Sequence, residues 1–264
     1  MATVSETGGF GDDRFPSLDR LRWALGLVVP ALLVVVWHVL VATGVFAAHQ
    51  LPAPLTVVET LYGMAVAGEL AGHVSVTVQR VFFGVVFGAA VGIAFGTLTG
   101  VSGLASDLLD PLFQSGKNIP SLAWVPLFLL WFGIGEVAKV TLIAVGAFFP
   151  VYLNLSTGIR EVDEGLLEVV EVYDLGRIES LRRVVLPAVL PNLLVGLRGG
   201  VGLAWMFVVA AELIAASQGL GFLLSDGRVM SRPDIIVGSI LLFAFFGNLS
   251  DLLVKGVHDR VVDW

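Results

Sequence analysis

Apolar residues in this chain run in blocks, and the polar residues between them fall mostly at the block ends. Hydrocarbon is about 30 Å thick and a helix rises about 1.5 Å per residue, so a crossing takes roughly 20 mostly apolar residues. Residues 23–46, 81–101 and 137–158 meet this without interruption, 190–215 carries Arg198 and Glu212, and 234–255 ends at Lys255. The stretch 107–133 is interrupted by Lys117, Asn118, Pro120 and Pro126. It predicts a crossing packed inside a bundle, where neighbours satisfy the broken backbone. The pattern therefore predicts an all-α polytopic membrane protein with six transmembrane helices, its membrane domain spanning residues 18–264. Residues 1–17, rich in Gly, Ser, Thr and Asp, predict a disordered cytoplasmic tail rather than a signal peptide.

Composition narrows the class. Hydrophobic residues make up 56% of the 264, charged residues 14%, and mean hydropathy is +0.91, so lipid is the main solvent. A net charge of −7 speaks against a nucleic-acid partner. The lack of cysteine removes disulfides, thiolate metal sites and thiol nucleophiles. Orientation follows from the Lys and Arg between the blocks. With the N-terminus inside, the cytoplasmic side holds Arg14, Arg20, Arg22, Lys117, Arg160, Arg177, Arg182, Arg183, Lys255 and Arg260, against Arg80, Lys139, Arg228 and Arg232 outside. This bias predicts that both termini and the 160–187 loop are cytoplasmic.

That loop is amphipathic. Leu166, Val169, Val170 and Tyr173 recur at helical spacing, while Glu161, Asp163, Glu164, Glu168, Glu171 and Asp174 supply an acidic face. Anionic headgroups repel such a face, so a protein groove is the better partner than the bilayer surface.

The loop resembles the coupling motif of ABC-importer permeases, Glu-Ala-Ala, three residues, Gly, nine residues, Ile, one residue, Leu-Pro. Glu168 matches the Glu, Val169 and Val170 stand for the alanines, Asp174 for the Gly and Val184 for the Ile, and Leu186-Pro187 match. Asp tolerates a left-handed backbone better than most residues, which suits the turn at Asp174. Residues 120–136, Phe148-Phe-Pro-Val151, Gly158-Ile-Arg160, Ala210-Ala-Glu-Leu-Ile-Ala215, Gly219-Leu-Gly221 and Arg260 to Trp264 are similar to the permease branch serving nitrate, taurine and aliphatic sulfonates. The likeness runs from about Leu51 to the end. It implies a type I importer fold in the cell membrane and a permease homodimer. It also implies separate cytoplasmic ATPase subunits that bind the ATP and Mg, and an extracytoplasmic solute-binding protein. ATPase coupling would fall to Leu166, Glu168, Val169, Val170, Tyr173, Asp174, Leu186 and Pro187. The cargo implied is a small oxyanion such as sulfonate, taurine or nitrate, with a thiamine-precursor pyrimidine or another small solute as the alternative.

The residues agree that nucleotide is bound elsewhere. Gly116-Lys117, the only Gly-Lys pair, is followed by Asn118 where a phosphate loop needs Ser or Thr. An ionisable group inside a span costs roughly 3 kcal/mol unless paired, so Arg198, Glu212 and Lys117, with Asn118, Ser121 and Trp124, are candidates for a substrate path. Arg198 could equally snorkel towards the cytoplasmic interface. Gly84, Gly88, Gly92, Gly96 and Gly100 form a ladder at four-residue spacing, read first as packing against another helix of the same subunit and second as a dimer contact. Gly100-Val-Ser102-Gly103 spells a short intramembrane serine-protease signature, but of the histidines only His38 lies in a predicted span to serve as base. An ion-coupled secondary transporter is the stronger rival, disfavoured by the absence of an internal repeat.

Overall fold

The computed structural model describes residues 16–163, 165–166, 168, 172–173 and 176–261. They form α1 (Pro16–Ala42), α2 (Pro54–Val66), α3 (Glu69–Val101), α4 (Gly103–Gly116), α5 (Ser121–Phe132), α6 (Glu136–Arg160), α7 (Arg177–Ser180), α8 (Leu186–Ala215), α9 (Leu220–Val229) and α10 (Pro233–Val261), with no strand among the described residues. Four stretches, Glu69–Val101, Glu136–Arg160, Leu181–Ala215 and Pro233–Arg260, are each long and apolar enough to cross a bilayer. Contacts divide the chain into two units, Met1–Thr56 and Val57–Trp264.

In the first unit, Val28–Ala42 is apolar on all sides and largely uncovered, with Val29, Leu33 and Val35 exposed, as suits a helix facing lipid. The Trp37 indole N–H donates to the Pro52 carbonyl at 2.9 Å, tying α1 to the chain beyond it.

The second unit is built around α6, whose two faces are covered by different helices. The glycine ladder of α3 lies on one face. A Cβ on Gly84 or Gly88 would collide with Ile143 or the Ala144 carbonyl; one on Gly92, Gly96 or Gly100 would come within 3.0 Å of Phe148 O, 3.0 Å of Tyr152 O and 2.7 Å of Ile159 Cβ. The partners advance along α6 as the glycines advance along α3, so these helices are parallel and their backbones touch. The ladder is thus an intrachain seam. On the other face Gly196 and Gly200 of α8 meet the carbonyls of Pro150 and Ala147, and Gly146 of α6 meets Phe207. Here the order reverses, so α8 is antiparallel. Lipid offers no hydrophobic drive between helices, and close packing through small residues supplies the attraction instead.

The 107–133 stretch is two helices, α4 and α5. Its break at Lys117–Pro120 is exposed rather than enclosed by neighbours. The backbone is satisfied locally, since Lys117 N–H donates to Phe113 O, Asn118 N–H to Ser115 O, and the Asn118 side chain to Gln114 O. A broken helix therefore needs no enclosure where it turns back on its own carbonyls. At the other boundary, α3 begins at Glu69 rather than near residue 81, so Arg80 is an intrahelical residue. Lys139 likewise sits inside α6. Both, like Arg228 in the last turn of α9, leave the set of loop cations on the side predicted to be outside, which retains Arg232. The Asp234 carboxylate, 2.5 Å from Arg232, holds that guanidinium above its ordinary value.

Candidate functional site

Three features lie along the α6 axis. The first is an ionic cluster where α6 begins. Arg80 projects from α3 and grips the Glu136 carboxylate with two bonds of 2.6 Å, Nε to Oε2 and Nη2 to Oε1. Its Nη1 also donates to Glu212 Oε1 at 2.8 Å and to the Gln218 carbonyl at 2.6 Å. Lys139, one turn along α6, donates to the same Glu136 oxygen at 2.9 Å.

Glu212 is fully buried and shows why the sequence folds this way locally. Beyond Arg80, its carboxylate accepts from the Thr77 hydroxyl at 2.9 and 3.0 Å and from the Gly221 N–H at 2.8 Å. Gly221 lies in the first turn of α9, where the helix dipole favours a negative charge. The Gly219-Leu220-Gly221 turn folds over the carboxylate so closely that a Cβ on Gly219 would lie 2.5 Å from it. Gly219 also holds φ at +123°, which only glycine adopts readily. Thr77 Oγ1 accepts from Leu220 N–H at 2.8 Å and His73 Nδ1 from Gly219 N–H at 3.1 Å, so the turn is pinned to α3.

Exposure separates the members of the cluster. The side chains of Arg80, Lys139 and Glu212 are 5, 6 and 0% exposed, whereas that of Glu136 is 60% exposed. A polar cavity of about 380 Å³, bordered by Gln79, Arg80, Glu136, Ser217 and Gln218, opens beside it. Through Phe83, Glu136 and Val140 this meets the second feature, an apolar groove of about 640 Å³ between α3, α4 and α6. Phe83 and Phe87 wall the groove, and Phe95, Phe113 and Phe148 close its far end with centroids 5.1 to 6.4 Å apart.

The third feature lies beyond those rings, towards the 160–187 loop. The Tyr152 hydroxyl donates to Asp110 of α4, which also takes Arg160 Nη1 at 2.7 Å, and Arg160 reaches Ser106 at 2.6 Å. Arg160 is the last residue of α6, so this ion pair braces α4 against the helix end that feeds the loop. Leu155 and Ile159 pack with Val185 and Val189 across the same joint. There the backbone makes a π-helical turn at Leu181–Val185, in which Leu186 N–H donates to Leu181 O. Pro187 has no N–H and its ring crowds the carbonyl four residues back, which accounts for a wider turn just ahead of it.

Of the predicted coupling residues, Leu166, Glu168 and Tyr173 are exposed, Tyr173 by 73%, while Leu186 and Pro187 start α8. Val169, Val170 and Asp174 lie outside the described residues. Of the predicted path residues, only Glu212 joins the cluster. Arg198 forms a two-bonded pair with Asp251 of α10, at 2.5 and 2.6 Å. Lys117 and Asn118 are at the exposed α4–α5 break, Ser121 opens α5, and Trp124 stacks on Phe128 at 5.7 Å with its indole N–H unpartnered. Arg80, Glu136 and Lys139 escaped sequence reasoning because each lies at or beyond the edge of an apolar block. The available signal was the period: Thr77, Arg80 and Gly84 follow one another at helical spacing, extending the α3 seam outwards.

A parallel–antiparallel sandwich of long apolar helices with a polar loop at one end describes a polytopic membrane protein. Residues 84–263 match the family model for the inner membrane component of binding-protein-dependent transport systems, and the chain belongs to that family. It is 40% identical over 249 residues to the aliphatic sulfonates transport permease protein SsuC of Bacillus subtilis, covering 94% of this chain and 90% of that one. It is 32% identical to the taurine transport system permease protein TauC of Escherichia coli, over 95% of this chain and 92% of the other. Among solved structures, a chain of the inward-facing MetNI methionine ABC transporter shares the fold, with a TM-score of 0.63 at 20% identity, over 70% of this chain and 92% of that one. The chain is accordingly the multi-pass permease subunit of an ABC importer.

Proposed function

We propose that this subunit forms a homodimer in the cell membrane and carries a small organic sulfonate inwards. Cytoplasmic ATPase subunits bind and hydrolyse the nucleotide with its Mg, and an extracytoplasmic binding protein delivers the cargo. Both termini and the 160–187 loop face the cytoplasm in this reading, which the Lys and Arg bias supports. The loop docks in a groove of the ATPase through Leu166 and Tyr173, with Glu168, Val169, Val170 and Asp174 shaping the segment. Closure of the ATPase dimer is passed on as a rigid push on α6 and α8.

The observation that carries the reading is the joint where the loop leaves α6 and re-enters at Leu186-Pro187. Arg160–Asp110, the Leu155–Val189 packing and the π-helical turn tie the ends of the loop to α4, α6 and α8. The sulfonate cargo is supported by the identity to the sulfonate permease relative. Removing this chain from its native host should abolish uptake of labelled ethanesulfonate supplied as sole sulfur source, and restoring it should return the uptake. Undiminished uptake in its absence would contradict the assignment.

A further inference from the structure

We propose that the ionic cluster and the apolar groove are the head and tail halves of one substrate site, and that the Glu136 carboxylate occupies the head position until a sulfonate displaces it. The proposal rests on the sulfonate-importer reading and specifies where in this chain the cargo is held and which sulfonates it favours.

Arg80 and Lys139 converge on a single carboxylate. Of the groups in the cluster that carboxylate alone is mostly exposed, and it faces the polar cavity. Glu212 holds Arg80 from behind and is wholly buried, so the guanidinium stays aimed at the cavity whether or not Glu136 is in place. The guanidinium fork that now binds two carboxylate oxygens presents the same spacing to two oxygens of a sulfonate. Glu136 thus balances the charge at the head while the site is empty, and because its side chain is largely exposed it can move into solvent when a sulfonate takes over its bonds to Arg80 and Lys139. The groove beginning at Phe83 and Val140 is lined by aromatic and aliphatic side chains. A passage built only for nitrate or another inorganic anion has no use for such a wall, whereas an alkyl tail gains by leaving water for it. The chemistry points to alkanesulfonates with a tail of several carbons.

The test uses the permease–ATPase complex in nanodiscs carrying T141C. Thr141 lines the groove, and the chain has no cysteine of its own. The rate of maleimide labelling at that position is followed with methanesulfonate, butanesulfonate, nitrate or butylammonium present. Butanesulfonate is expected to slow labelling at concentrations where methanesulfonate and nitrate do little and butylammonium nothing. E136Q should lower the half-protecting butanesulfonate concentration by about tenfold, since a competing charge is withdrawn from a cationic site. V140W, which narrows the junction of cavity and groove, should remove the preference for the longer tail. Equal protection by methane- and butanesulfonate, protection by butylammonium, or no response to E136Q would overturn the proposal. Butanesulfonate accumulation by the complete transporter without protection at T141C would sink this site and leave the importer reading standing. Protection without ATP-driven accumulation would support the site and contradict the cargo reading.

Discussion

Arg80 of α3 and Glu212 of α8 meet at 2.8 Å with both side chains almost wholly withdrawn from solvent, joining two helices that flank α6. Each is satisfied further, Arg80 by Glu136 and the Gln218 carbonyl, Glu212 by Thr77 and Gly221. A fully bonded buried pair adds little against an apolar substitute, but losing one partner strands a charge.

Glu212→Ala should therefore destabilise the purified permease by about 3–5 kcal/mol, whereas replacing the buried pair together with apolar residues should cost much less. Thermal unfolding in one detergent, compared across the two single variants and the double, measures the coupling.

Gly219→Ala places a methyl group against the Glu212 carboxylate and forces a positive φ on a residue that resists it. A loss of about 1–3 kcal/mol is expected. Gly72→Ala, whose Cβ would meet nothing within 4 Å, is the control and should be stable in the same unfolding assay.

Gly88→Leu puts a branched side chain into the α3–α6 seam, where even a Cβ collides with the Ala144 carbonyl. The helices cannot separate without breaking the packing along the whole ladder. The variant should be lost from the monodisperse peak on size-exclusion chromatography, while Gly103→Ala, in open space, should elute as the parent does.

Leu166→Asp with Tyr173→Asp should release the ATPase from the membrane complex while leaving the permease inserted. Both side chains are exposed, so the change leaves the permease's own packing alone. Unchanged co-purification of the ATPase would count against docking through this segment.

The helical class, the block pattern and the family were legible in the sequence because apolar length and motif spacing are local properties. The glycine ladder was legible too, and its first reading, an intrachain seam, is the one observed between α3 and α6. What the pattern could not supply was partnership across distant positions. Arg80 looks like a loop cation because the apolar run starts after it, yet α3 extends back to Glu69 and turns Arg80 inward onto a carboxylate 132 positions away. Arg198 shows the same limit, since its partner Asp251 stands on the last helix. At the 107–133 break the exposed turn of the single chain satisfies its own backbone, a local possibility that hydropathy does not register.

Topology is open to direct test, since the chain has no cysteine. An impermeant maleimide applied to intact cells should label S217C and leave R177C untouched until the membrane is opened. Labelling of R177C in intact cells would reverse the orientation.

Under the proposed assignment this chain moves its cargo only as the permease of an ATP-driven complex, and reconstitution into liposomes checks this. Alone, under a proton or sodium gradient, it should accumulate no sulfonate; with the ATPase, the binding protein and ATP on the ATPase side, accumulation should begin and should stop when ATP is withdrawn. Gradient-driven accumulation by this chain alone would contradict the account.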